Sequence, residues 1–286
     1  MSIKLIQERL NSYNCKSAQE EEHAIREITQ EVALAALSRT DFFKHGIFHG
    51  GTCLRIFYGL NRFSEDLDFI LKEPNQHFKL HPYLQSMSEE LEAYGYKVNI
   101  TDYSKADIAV RKAFLKDDSI RKVLQLHYSD KKGPMRTIRV KIEIDTNPPA
   151  GSMMEIKYHD FPFISSVTVQ DKPSLFAGKM HALLCREYYK GRDWYDFLWY
   201  TSQKVSINYQ FLASALNQQG SWKGMDINVN RDWCMAELRK IISSIDWKQM
   251  AEDVSRFVRV SEQASLALWS KELFLTQLKQ WGSLRQ

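Results

Sequence analysis

The distribution of proline divides the sequence into two parts that favour different secondary structure. All seven prolines lie at or before Pro173, and the 113 residues from 174 to 286 contain none. Proline lacks a backbone N–H and interrupts helices, so a long periodic stretch without it favours helices. We therefore predict a domain at 1–173 and a mostly helical domain at 174–286. The predicted fold class is α/β (α+β), with a small mixed β-sheet flanked by helices in the first domain.

Apolar spacing predicts the elements of the first domain. Residues 137–145 alternate cleanly between apolar and polar side chains, which is typical of a strand with one buried face. We predict a hairpin whose arms are 123–128 and 137–145 and whose turn is 129–134. The other predicted elements are helices at 20–43, 52–58 and 84–93 and strands at 46–49, 66–71 and 96–101.

The cysteine spacing and the apolar segments argue against a zinc-binding, disulfide-rich, secreted or membrane-spanning protein. Cys15, Cys53, Cys185 and Cys234 are scattered and form no Cys-x-x-Cys pair, so neither a structural zinc site nor a disulfide framework is expected. The first residues lack the apolar core of a signal peptide, and no segment approaches the roughly 20 apolar residues of a membrane helix. We therefore expect a cytoplasmic protein with no membrane partner.

A glycine-rich turn follows the predicted strand at 46–49. Gly50 and Gly51 permit a tight bend and a close backbone approach, and Thr52 then opens a helix whose N-terminus suits a phosphate. The alternative is an ordinary strand-to-helix turn with a threonine cap. The tripeptide alone favours that alternative, so the interpretation depends on the next strand of the chain.

Two aspartates lie on that strand. Residues two apart on a strand point to the same side, so the carboxylates of Asp66 and Asp68 are predicted to lie close together. Their repulsion requires compensation, and Mg²⁺ is commonly held by one or two carboxylates plus substrate phosphate oxygens. The alternative is a solvated strand end, but the glycine turn just upstream favours a metal site.

A third carboxylate would complete a two-metal site. Glu143 is the candidate, and Asp145 is its competitor because both lie on the polar face of the strand at 137–145. The alternative is an exposed strand face that binds nothing. The neighbouring basic residues fit a solvated ribbon and substrate binding equally well. They are Lys131, Lys132, Arg136, Arg139 and Lys141.

A further group of charged residues begins in the proline-free part. Lys179 and Arg186 are seven residues apart and therefore share one helix face, which could bind nucleotide phosphates. Asp193 could pair with Lys179 or with Arg192 and orient it. Taken alone, this segment fits ordinary surface charge better.

Together these segments resemble the AbiEii/AbiGii toxin family of nucleotidyltransferases, within the polymerase-β-like superfamily. The resemblance covers residues from about 46 to 200. It rests on the blocks 50–55, 62–69, 141–144, 179–186 and 190–197.

The resemblance implies roles for individual residues. We predict that the first domain (1–173) is the nucleotidyltransferase-like catalytic domain and that the helical domain (174–286) completes the active-site cleft, because ligand pockets tend to form between domains. The implied catalytic residues are Asp66, Asp68, Lys179 and Asp193. The implied ligands of Mg²⁺ (or Mn²⁺) are Asp66, Asp68 and Glu143, of which the third is the family's most variable element. The implied nucleotide-binding residues are Gly50, Gly51, Thr52, Arg55, Ser64, Lys179 and Arg186, with Arg55 where relatives often carry Lys.

The same resemblance implies a nucleoside triphosphate (NTP) as substrate, RNA (the acceptor end of tRNA) as acceptor, and a toxin role opposed by a cognate antitoxin. Two alternatives remain open. One is a sugar-nucleotide glycosyltransferase with an Asp-x-Asp motif, against which stands the short spacing from the glycine turn to the acids. The other is an inactive relative that binds a nucleotide or a partner, against which stand the intact acids.

Overall fold

The structure is a computed structural model that describes residues 2–104, 109–117, 119–128 and 137–283. The helices before the last strand are α1 (Ser2–Ser12), α2 (Ala18–Ser38), α3 (Phe42–His45), α4 (Gly50–Tyr58), α5 (His81–Ala93) and α6 (Ile120–Val123). The strands are β1 (Gly46–His49), β2 (Asp66–Leu71), β3 (Val98–Asp102), β4 (Val110–Asp117), β5 (Ile138–Asp145), β6 (Met154–His159) and β7 (Ser165–Gln170). The later helices are α7 (Lys172–Cys185), α8 (Gly191–Ser202), α9 (Tyr209–Gln218), α10 (Arg231–Ser244), α11 (Trp247–Ser255), a 3-10 helix (Val260–Leu268) and α12 (Lys271–Gly282).

The strands form one seven-stranded sheet in the order β3-β4-β5-β2-β1-β7-β6. β2 is antiparallel to β1 and parallel to β5, so the sheet is mixed. β4 is antiparallel to both β3 and β5, and β1 is parallel to β7. The mixed α/β fold class predicted from the sequence is therefore confirmed.

The two strands that carry acidic residues are held by their apolar sides. On β2, Leu67 and Phe69 are buried while Asp66 and Asp68 are half-buried. On β5, the apolar residues predicted for one face are buried, and their polar neighbours are half-buried or exposed. The buried residues of β5 are Ile138, Val140, Ile142 and Ile144. Because the side-chain period of a strand is two, burial of one set fixes the acids on the opposite face.

The chain forms two compact units. The first comprises residues 1–59, 63–148 and 155–169, and the second comprises 60–62, 149–154 and 170–286. The first unit contains α1–α6 and most of the sheet, and the second contains α7–α12. The predicted domains, 1–173 and 174–286, stay a prediction.

The second unit has an aromatic core. Phe176 of α7 stacks on Tyr200 of α8 with ring centroids 4.3 Å apart, and Trp247 of α11 stacks on Phe274 of α12 at 3.8 Å. Trp194 is fully buried and meets Trp247 edge to face. None of the described helices combines the length and the low polarity required to cross a lipid bilayer.

Two predicted elements are wrong. The helix predicted at 20–43 is two helices, because α2 ends at Ser38 and α3 begins at Phe42. The first arm of the predicted hairpin is also wrong. Asp117 accepts hydrogen bonds from the N–H groups of Ser119 and Ile120 at the start of α6, which ends at Val123, and residues 124–128 form no strand. β5 pairs instead with β4, and the predicted turn at 129–134 lies outside the described residues, as do Lys131, Lys132 and Arg136.

Candidate active site

The glycine turn places backbone directly against an acidic side chain. β1 runs into α4, which begins at Gly50 rather than at the predicted Thr52. Gly50 has φ +79°, and a Cβ atom added there would lie 2.6 Å from Asp68 Oδ2. Glycine is therefore required twice over, by its backbone conformation and by the carboxylate beside it.

Asp66 and Asp68 lie on the same face of β2. Both side chains are half-buried, and they alternate with buried Leu67 and Phe69. In the antiparallel pair with β1, Asp68 is opposite His49, the residue immediately before the glycine turn. The geometry therefore brings the second aspartate and the start of α4 together, as the sequence predicts.

Thr52 links the same helix to the same strand. Its side chain is fully buried, and its hydroxyl donates a hydrogen bond of 2.5 Å to the backbone carbonyl of Asp66. The hydroxyl is thus used within the protein. What this turn offers a phosphate is its backbone N–H groups, because the first four of a helix have no partner one turn earlier. Gly51, within this first turn, and Ser64, two residues before Asp66, are both half-buried.

The carboxylate of Glu143 is the one aligned with Asp68. In the parallel pair of β2 and β5, Glu143 is opposite Asp68, whereas Asp145 is opposite Ile70. Directly opposite residues share a face of the sheet, so Glu143 is the nearer of the two competitors.

Two lysines hold Glu143. Lys141 lies 2.5 Å and Lys112 3.2 Å from its carboxylate oxygens. Burial raises the pKa of Glu143, but the hydrogen bonds and charges of these lysines outweigh it and leave the pKa below the ordinary value. Within the described ranges, no group of three or more His, Cys, Asp or Glu side chains has the geometry of a metal site. Two aspartates completed by phosphate oxygens form a donor set that Mg²⁺ accepts, and the role of Glu143 as a third ligand stays a prediction.

Arg55 is held by an acid of α2. Its Nε donates to Glu27 Oε2 at 2.9 Å, and its guanidinium lies 4.6 Å from the centre of the Phe63 ring. Burial raises the pKa of Glu27 despite the opposing charge of Arg55. The position of Arg55 on α4, one turn after Thr52, agrees with the predicted element, and its binding role stays a prediction.

In the second unit, the predicted basic and acidic residues come together. Lys179 Nζ lies 2.6 Å from Asp193 Oδ1 and 2.8 Å from Asp196 Oδ2. Arg186, which caps the C-terminus of α7 rather than lying within it, is 3.0 Å from Asp193 Oδ2. Lys179 is thus one of the two partners that the sequence suggested for Asp193. Burial raises the pKa of Asp193, but Lys179 and Arg186 outweigh it, so the pKa is lowered.

Arg62 is the residue whose position the sequence did not reveal. Its Nε and Nη2 donate to the two carboxylate oxygens of Asp196 at 2.7 and 2.6 Å, and both side chains are buried. One signal was present, since Asp196 stands among the aromatic residues of α8, where burial demands a charged partner. Asp196 therefore joins Arg62 to Lys179 within the second unit.

Comparisons with known proteins identify the family. A family model described as nucleotidyl transferase AbiEii toxin of a type IV toxin–antitoxin system matches residues 32–270. No curated protein matches the chain. Two crystal structures are similar in fold, both from Helicobacter pylori. A candidate nucleotidyltransferase is 16% identical with a TM-score of 0.51, covering 90% of this chain and 91% of that one. JHP933 is 17% identical with a TM-score of 0.50, covering 92% and 89%.

The match to the family model spans most of the chain, from within α2 to just past the end of the 3-10 helix. It includes every block on which the resemblance was based. This chain belongs to the AbiEii family of nucleotidyl transferase toxins.

Proposed function

We propose that this nucleotidyltransferase transfers a nucleoside monophosphate from an NTP to RNA, at the acceptor end of tRNA, with Mg²⁺ or Mn²⁺ as cofactor. The observation that carries the proposal is the position of Asp66 and Asp68 on one face of β2, with Asp68 against the backbone of Gly50. Family membership favours nucleotidyl transfer over the glycosyltransferase alternative.

Each part of this site has a physical task in such a transfer. An acceptor hydroxyl loses its proton and attacks the α-phosphorus; a new O–P bond forms, the bond to the β-phosphate oxygen breaks and pyrophosphate leaves. The reaction depends on alignment and on neutralisation of charge more than on covalent help. When bound, a divalent ion neutralises the triphosphate, and Asp66 and Asp68 would hold it. The first turn of α4, at Gly50, Gly51 and Thr52, would direct N–H groups at the phosphates.

Lys179 and its neighbours fit a supporting role. An ammonium held by Asp193 and Asp196 has a fixed position, which suits a group that contacts a nucleotide. Asp193 would orient Lys179, and Arg186, which is partly exposed, would offset phosphate charge. We assign Arg55 and Ser64 to nucleotide binding and Glu143 to the metal on the resemblance to the family. A cytoplasmic location and a cognate antitoxin as partner complete the proposal.

The test is incorporation of labelled ATP, GTP, CTP and UTP into total tRNA by the purified chain with Mg²⁺. We expect label from one or more nucleotides to enter tRNA, and Asp66→Ala to abolish incorporation while the circular dichroism spectrum is unchanged. Asp102→Ala is the control, because Asp102 is an exposed acid on β3 of the same sheet. Full incorporation by Asp66→Ala would show that the metal assignment is wrong. Absence of any transfer by the unaltered chain would favour the inactive relative.

A further inference from the structure

β6 presents an apolar face at the edge of the sheet. It is the last strand in the sheet order, so its outer backbone groups face away from the strands described. Met154, Ile156 and Tyr158 alternate along it and are 49%, 64% and 77% exposed. We call these three residues the β6 apolar face. An edge strand with exposed apolar side chains is a template for pairing with another strand.

The two charges on the opposite face of β6 offset each other. Lys157 Nζ lies 3.2 Å from Glu155 Oε2, so the lysine that could protect this edge is paired with an acid of the same strand. Tyr58 supports both residues. Its hydroxyl donates to Glu155 at 2.6 Å, and its ring lies 5.1 Å from Lys157 Nζ. β6 also contains no proline, a residue that cannot donate a backbone hydrogen bond to an added strand.

We propose that two copies of this chain form a two-fold dimer by antiparallel pairing of β6 with β6, centred on Ile156. In this register Ile156 is opposite Ile156 of the second copy, and Met154 is opposite Tyr158. Glu155 is then opposite Lys157 on the other face, and the symmetry repeats that pair. Opposite charges and apolar pairs directly across a strand pair are the contacts that stabilise a sheet. The two-fold axis repeats the Met154–Tyr158 and Glu155–Lys157 contacts, so each of them occurs twice in the dimer.

The order of residues in β6 favours a second copy over an unrelated strand. Read in either direction from Ile156, the strand places an acid on one side and a base on the other. Centring the pair on Glu155 or on Lys157 would instead place two like charges opposite each other. Only the register centred on Ile156 matches charge with charge and apolar side chain with apolar side chain.

The first test is the mass of the full chain by sedimentation velocity over a range of concentrations. We expect the mass to rise with concentration toward twice the 33.5 kDa of one chain, because a single strand pair makes a small interface. Ile156→Lys should raise the dissociation constant by about tenfold or more. Leu268→Lys is the control, since Leu268 is 70% exposed in the 3-10 helix and should leave the mass unchanged. A mass of one chain at every concentration would overturn the proposal.

The second test addresses the register. Glu155→Lys and Lys157→Glu should each be monomeric, because each places like charges opposite each other in its own dimer. A mixture of the two should form a heterodimer, in which every Lys is again opposite a Glu. Homodimers of either variant as tight as the unaltered dimer, or a mixture that stays monomeric, would contradict this register.

A third variant is independent of those charges. In the proposed dimer Ile156 is opposite Ile156 of the second copy. Ile156→Cys should therefore form a disulfide-linked dimer under mild oxidation. Because Ile156 is exposed, the substitution should leave the fold intact, which circular dichroism can check. Leu268→Cys serves as its control and should remain uncrosslinked. Equal crosslinking of both variants would contradict the proposed interface.

Discussion

Gly50 and Asp68 occupy adjoining space. The Asp68 carboxylate stands where a side chain on Gly50 would be, 2.6 Å from the position of its Cβ atom. The backbone that opens α4 and the second acid of β2 are therefore in contact without an intervening side chain. A phosphate bound at the helix N-terminus and a cation bound by the acid would be neighbours for the same reason.

Gly50→Ala is expected to lower nucleotide transfer by about a hundredfold or more, because the added methyl group must displace the Asp68 carboxylate and small misplacements at a reacting centre have large effects. Gly59→Ala is the matched control. Gly59 has φ +78°, nearly the same as Gly50, but a Cβ atom there meets nothing within 4 Å. Both variants should lose about 1–2 kcal/mol of stability from the left-handed backbone. Equal activities of the two would contradict the assignment.

Glu143→Gln is expected to raise the Mg²⁺ concentration needed for half-maximal transfer by about tenfold, because Glu143 is opposite Asp68. Asp145→Asn should leave that concentration unchanged, since Asp145 is opposite Ile70. Titration of transfer activity with MgCl₂ measures both. A larger effect of Asp145→Asn would move the third ligand to that residue.

Arg62→Met is expected to destabilise the fold by about 3–5 kcal/mol, because it breaks a buried ion pair and leaves Asp196 with Lys179 as its remaining basic partner. Lys240→Met removes an equally short pair, with Glu237, whose lysine side chain is 70% exposed, and should cost less than about 1 kcal/mol. Unfolding in urea gives both values. Similar losses would mean that the buried pair contributes little.

Asp193 should make stability depend on pH in the acid range. Although burial raises its pKa, the charges of Lys179 and Arg186 lower it below the ordinary value of 3.8. The folded protein therefore releases this proton more readily than the unfolded chain, and ionised Asp193 stabilises the fold above pH 3.8. That contribution is lost as the pH falls from 3.8 through the folded pKa.

The measurement is the urea unfolding free energy of the unaltered chain and of Asp193→Asn at several pH values. The difference between them should be constant from about pH 7 to pH 5 and should shrink toward about pH 3. A difference that stays constant down to that pH would show that the pKa of Asp193 is not lowered.

The central strands could be predicted from the sequence because their patterns are local. In β2 and β5, apolar residues alternate with acids, and burial of one face is sufficient to place the other. The glycine turn was also predictable, since few other residues fit a positive φ beside a side chain.

Relationships between distant segments could not be predicted in the same way. The alternation in β5 indicates a strand but not its partner, and the nearest apolar segment, 123–128, is not the one that pairs with it. Arg62 and Asp196 are 134 residues apart, and no local spacing connects them. The hydrogen bond from the Thr52 hydroxyl to the Asp66 backbone carbonyl likewise depends on how α4 packs on β2.

The place of β2 within the sheet has a consequence for how such a toxin can be restrained. β2 is the middle strand of seven and is hydrogen-bonded to β1 on one side and to β5 on the other. Shifting it would rupture two ladders at once, so its amides should exchange with deuterium only as slowly as the whole unit opens. We therefore expect that an inhibitor does not distort this strand. It would instead block access of substrates to the site or lower the amount of substrate available to the enzyme.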